Sequence, residues 1–117
     1  MTIKEVRSVL HAELLTPELE LSTQVHAACG ADMMSDVLAY VKDQAVLVTG
    51  LNNPQVVRTA DMMDMVCICL VRGKIPDETF LNLASERGIV VLSSHMTMFT
   101  ACGLLYEAGL RGAKNDG

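Results

Sequence analysis

The chain has 117 residues, half of them hydrophobic, and a mean hydropathy of +0.32, which fits one domain that is more apolar than its size requires. A formal net charge of -5 with nine scattered Lys and Arg argues against nucleic acid and anionic membrane as partners. The longest apolar run, Met65 to Val71, falls far short of the roughly 20 residues of a membrane helix.

A domain of this length leaves about a third of its unfolded surface in water, so so apolar a composition points to a patch for another subunit, and a homodimer is expected. At the N-terminus, Thr2-Ile3-Lys4-Glu5 reads as a capping box that opens an amphipathic helix, not as a leader, so the expected location is the cytoplasm. Ile3, Val6, Val9 and Leu10 form one face of that helix, which ends near His11. A short apolar stretch at Leu14-Leu15 and a turn at Thr16-Pro17 follow, and "LELSTQVHAACGAD" then reads as extended chain leading to a turn at Gly30. Asp32 is the expected N-cap of a helix with Met33, Val37, Leu38 and Val41 on one face.

Three similar units come next, each an apolar run, a polar or glycine turn and an amphipathic helix, which is the sequence form of a parallel βα repeat. The expected strands are Ala45 to Thr49, Met65 to Val71 and Gly88 or Ile89 to Leu92. Their helices run from about Pro54 to Met63, Pro76 to Arg87 and Thr97 to Ala108, with Gly88 and Gly109 as terminating glycines. The expected fold is α/β: a single domain over residues 1–110 with a mainly parallel sheet built from three βα units, preceded by an N-terminal helix and a short extended region. The tail "RGAKNDG", residues 111–117, is expected to fray.

Three turns carry the candidate chemistry. In Thr49-Gly50-Leu51-Asn52-Asn53-Pro54, Asn53 suits the N-cap and Pro54 the first helical position, which serves the fold. The same helix start offers unpaired N–H groups to an anion, and Gly50 lets it approach the backbone. Arg72-Gly73-Lys74 follows the next strand, and Ser93-Ser94-His95 precedes the last helix with Thr97 at its start. Parallel strands put such turns on one edge, so the expected ligand-binding residues are Thr49, Gly50, Asn52, Asn53, Arg72, Gly73, Lys74, Ser93, Ser94 and Thr97, facing a small anionic ligand.

Catalytic patterns are missing. The one Gly-Lys pair, Gly73-Lys74, is followed by Ile75, so there is no P-loop, and there is no G-x-S-x-G or H-E-x-x-H. His95 beside Ser94 could pair a base with a nucleophile, but adjacent residues on extended chain point apart. Cys29, Cys67, Cys69 and Cys102 include no C-x-x-C; Cys67 and Cys69 share a strand face, and burial is their expected use over a soft metal. The methionines Met33, Met34, Met62, Met63, Met65, Met96 and Met98 are expected to fill core gaps, with an adaptable interface as the alternative. No enzyme activity, cofactor or metal is expected.

The run from Ala45 to Leu105, with "ACGADMMSDVLAYVKD" upstream of it, resembles the DRTGG domain family. In that family a G-D-R turn follows one strand, a T-G-G turn follows the next, and a threonine-containing turn opens the last helix. Here those turns are Gly50-Leu51-Asn52 and Arg72-Gly73-Lys74, so Gly50 and Gly73 carry over, with Pro76 and Thr97 beyond them. The resemblance implies a fold like the N-terminal domain of HPr kinase and of MurF-type ligases. It also implies a regulatory or dimerising role, as in domains set beside CBS domains in regulated pyrophosphatases, and a redox enzyme of hydrogenase type as a protein partner. The expected function is a non-catalytic, homodimeric sensor of a small anionic metabolite or nucleotide, or alternatively a ligand-free module that docks on a redox enzyme complex.

Overall fold

In the computed structural model, which describes residues 1–40 and 42–112, ten elements follow one another. They are α1 (Ile3–Val9), β1 (Glu13–Leu14), β2 (Ala27–Gly30), α2 (Met34–Val37), β3 (Ala45–Thr49), α3 (Pro54–Met62), β4 (Cys67–Leu70), α4 (Glu78–Glu86), β5 (Val90–Ser93) and α5 (Met98–Glu107). The strands form one sheet in the order β1-β5-β4-β3-β2. β2 to β5 run parallel, and β1 closes the other edge antiparallel to β5.

The three central strands are buried on both faces, which is why they read as continuous apolar runs. Leu47, Ile68, Leu70 and Val91 face a layer that contains Val37 of α2, Val56, Val57 and Ala60 of α3, and Phe80 and Ala84 of α4. Val46, Val48, Cys67, Cys69, Val90 and Leu92 face the opposite layer, made by Ile3 and Val6 of α1 and by Ala101 and Leu105 of α5. Successive parallel strands step across the sheet in one direction, so their connecting helices fall on one face. The other face is covered by the helices that lie outside those crossovers, α1 and α5.

Local signals set the helix ends. Thr2 and Glu5 make the reciprocal capping box, and Asn53 accepts from Gln55 N at 3.0 Å with Pro54 behind it. Asp77 accepts from Phe80 N at 2.9 Å, so α4 starts at Glu78 instead of Pro76. Gly88 and Gly109 follow α4 and α5 with φ of 70° and 114°, where a side chain would strain the backbone.

Several expectations are corrected. The helix expected from Asp32 is a single turn whose N-cap, Met33, makes no side-chain hydrogen bond. Asp32 does not cap it, because its carboxylate is held by the turn after β3. On that turn only Val37 is buried, Leu38 is exposed, and Val41 lies outside the described residues. Of the apolar stretch at Leu14-Leu15, Leu14 joins Glu13 in an edge strand, anchored where Leu15 N donates to Val91 O at 2.9 Å and the buried Thr16 hydroxyl accepts from Val91 N at 3.1 Å. β2 adds a fourth parallel strand to the three expected. Of the tail, residues 113–117 lie outside the described residues; Arg111 O accepts from Ala28 N at 2.9 Å, and its guanidinium sits 3.9 Å from the Tyr106 ring centre.

Phe80 is the largest fully buried side chain and joins α4 to the sheet. Phe80→Ala is expected to cost about 3–5 kcal/mol, read as a lower urea midpoint with an unchanged slope.

Candidate functional site

Because β2 to β5 are parallel, their carboxyl ends meet one edge, and four turns meet there. They are the turn after β2 with Asp32, Thr49 to Asn53 after β3, Arg72 to Lys74 after β4, and Ser94 to Thr97 after β5. Main-chain bonds tie the last two: Arg72 N donates to Met96 O and Gly73 N to Ser94 O, each at 2.8 Å. The Ser93 hydroxyl adds a bond to Lys74 O at 2.8 Å.

Side chains carry the network across the rest of the edge. Lys74 Nζ donates to Gly50 O at 2.7 Å, joining the β4 turn to the β3 turn. Gly50 N donates to Asp32 Oδ1 at 2.6 Å and the Thr49 hydroxyl donates to the same oxygen at 3.3 Å, which brings in the β2 turn. Arg72 and Gly73 have φ of 58° and 67° and are closed by Lys74 N to Val71 O at 3.3 Å, the φ pattern of a type I′ turn. Holding arginine at positive φ costs about 1–2 kcal/mol, and it aims the guanidinium back over the β3 turn. A Cβ on Gly50 would lie 2.8 Å from Arg72 Nη2 and 3.3 Å from Asp32 Oδ1. Likewise, one on Gly73 would lie 2.7 Å from His95 Nδ1. Both glycines are therefore the floor under a side chain.

The ten expected site residues divide into three groups. Thr49, Gly50, Arg72, Gly73, Lys74 and Ser93 belong to the connected edge. Asn53 and Thr97 cap α3 and α5, and Ser94 is buried with its hydroxyl donating to Leu10 O at 2.7 Å. Asn52 is exposed and forms no hydrogen bond among the described residues. Sequence reasoning missed Asp32 and set His95 aside; recognising β2 as a parallel strand would have placed Asp32 on this edge. Among the described residues, the Arg72 guanidinium has neither a hydrogen bond nor an ion pair. On the β2 side of the edge, Gly30, Ala31, Asp36, Ala39 and Tyr40 line a cavity of about 300 Å³.

Residues 5–108 match the family described as the DRTGG domain. The chain belongs to the DRTGG domain family. A solved structure of the CBS and DRTGG domains of the regulatory region of Clostridium perfringens pyrophosphatase, complexed with its activator diadenosine tetraphosphate, is similar to it with a TM-score of 0.70 and 15% identity. The match covers 97% of this chain and 51% of that one, so this chain spans about half its length. At that identity the likeness is one of fold. In this DRTGG domain the two turn glycines of the resemblance are the two that lie beneath Arg72 and His95.

In this DRTGG domain Cys102 Sγ packs on Gly30, where a Cβ would lie 2.7 Å from it, at the carboxyl end of β2. Cys67 and Cys69 point into the layer of α1 and α5, as their spacing on a strand requires. Burial pushes Cys67 well above the ordinary thiol range, with a further push from Cys69; burial and then Cys102 push Cys69 up to about 12, and burial raises Cys102. A raised pKa keeps these three thiols protonated near neutral pH, which disfavours the thiolate form there. Among the described residues no three His, Cys, Asp or Glu side chains are grouped to hold a metal ion, and no helix is long and apolar enough to cross a membrane.

Because folded Cys69 keeps its proton up to about 12 while an ordinary thiol loses it near 9.0, unfolding releases a proton between those values. Stability is expected to be intact below about pH 9 and to fall above it, by up to about 1.4 kcal/mol per pH unit from this thiol. Urea unfolding at pH 8, 9 and 10 checks this, with Cys69→Ala giving a flatter profile.

Proposed function

We propose that this DRTGG domain is a non-catalytic regulatory module, homodimeric and cytoplasmic, that binds a small anionic metabolite or nucleotide at the carboxyl edge of its sheet. The observation that carries the reading is the unpaired Arg72 guanidinium, held over Gly50 by a positive-φ turn. An exposed guanidinium beside backbone N–H groups suits phosphate or carboxylate oxygens. The regulatory region of the similar pyrophosphatase is complexed with a nucleotide activator, which supports a nucleotide as the ligand class. Lys74 ties the β4 turn to the β3 turn with one of its three N–H donors, on Gly50 O, and its charge remains on the same edge.

A second reading, docking on a redox enzyme complex, is favoured by three exposed apolar side chains on the same edge: Met33, Ile75 and Phe99, 62%, 57% and 89% exposed. Phe99→Ser separates the two, because it removes a docking anchor and leaves Arg72 and Gly50 in place.

A thermal-shift screen of nucleotides, phosphorylated metabolites and phosphate tests the first reading. A ligand at a hundred times its Kd stabilises by about 2.7 kcal/mol, roughly 10 °C for a domain of this length. Arg72→Ala is expected to weaken such a ligand at least tenfold; equal binding by the variant would remove the site from this edge.

A further inference from the structure

We infer that the carboxylate of Asp32 is a built-in occupant of the anion subsite, so that an anionic ligand enters only by exchange with it; this rests on the anion-binding reading proposed above. Gly50 N–H and the Thr49 hydroxyl are two of the donors that the β3 turn offers to an anion, and both already point at Asp32 Oδ1, at 2.6 and 3.3 Å. Arg72 Nη2 and Asp32 Oδ1 lie 2.8 and 3.3 Å from one point above Gly50. The guanidinium and the carboxylate thus stand on the same side of that glycine without forming an ion pair. A backbone N–H, a hydroxyl and a neighbouring guanidinium are together the donor set that recognises a phosphoryl group or a carboxylate.

Asp32 takes this position at the expense of the role its place in the chain suggests. α2 begins just after it with an N-cap that lacks a side-chain bond, and extends for only one turn. The residue is exposed, so its side chain can leave the subsite without disturbing the core. The consequence is a threshold for ligands. A monocarboxylate offers Gly50 and Thr49 what Asp32 already supplies, whereas a phosphate dianion brings more charge and more acceptor oxygens and displaces it. Asp32 therefore selects phosphoryl groups over simple carboxylates.

The test is titration of the full ¹⁵N-labelled chain with inorganic phosphate and with acetate, following the Gly50 amide resonance, for the wild type, Asp32→Ala, Asp32→Asn, Arg72→Ala and Glu78→Gln. Asp32→Ala is expected to bind phosphate at least tenfold more tightly and to acquire acetate binding. Asp32→Asn, which keeps a neutral oxygen in the subsite, should gain less, and it decides the question if the alanine variant does not fold. Glu78, a carboxylate at the start of α4 on the same edge, should change phosphate affinity less than twofold when neutralised, which separates displacement from general repulsion. If the Asp32 variants bind no more tightly than wild type while Arg72→Ala still weakens phosphate, the exchange is overturned and the anion site stands. If neither the wild type nor any Asp32 variant responds to phosphate, both are overturned.

Discussion

A parallel sheet buried on both faces is the constraint from which the rest of this domain follows. β2, β3, β4 and β5 are neighbours in chain order and in space, so their three connecting helices lie on one face. The other face would remain exposed to water if the chain ended there. α1 and α5, which precede and follow the parallel units, close it with Ile3, Val6, Ala101 and Leu105. The ends of the described fold are thus part of its core, as the pairing of Arg111 O with Ala28 N on the edge strand also illustrates.

The same constraint creates the candidate site. Parallel strands bring their carboxyl ends to one edge, where turns must satisfy their own polar groups. Here they do so mostly through one another: Ser93 to Lys74, Lys74 to Gly50, and Gly50 to Asp32, a chain of bonds that crosses from β5 to β2. Such cross-tying links the four turns through one network. Among the described residues the Arg72 guanidinium stands out on this edge, because it bears charge and has no hydrogen bond or ion pair.

The methionines show how an apolar composition is used in two ways. Met63 and Met65 fill the core beneath α3, while Met33 and Met62 are exposed. Exposed Met33 and Ile75 come from turns of the edge that carries Arg72, and exposed Phe99 from the first turn of α5 that follows β5, so charged and apolar surface share one side of the molecule.

By itself, the sequence determined the elements whose causes are local. Thr2 with Glu5, Asn53 with Pro54, and Gly88 and Gly109 mark helix ends because capping and positive φ depend on residues a few positions apart. Continuous runs such as Ala45 to Thr49 announce buried strands for the same reason. The role of Asp32 was not legible, because as an N-cap it competes with a donor eighteen residues away that only strand pairing brings near. Nor could Leu14 be assigned to a sheet edge before β5 lay beside it. Which turn residues face the edge and which turn inward, Arg72 against Ser94, was decided by the tertiary structure alone, since that choice depends on which distant groups each side chain can satisfy.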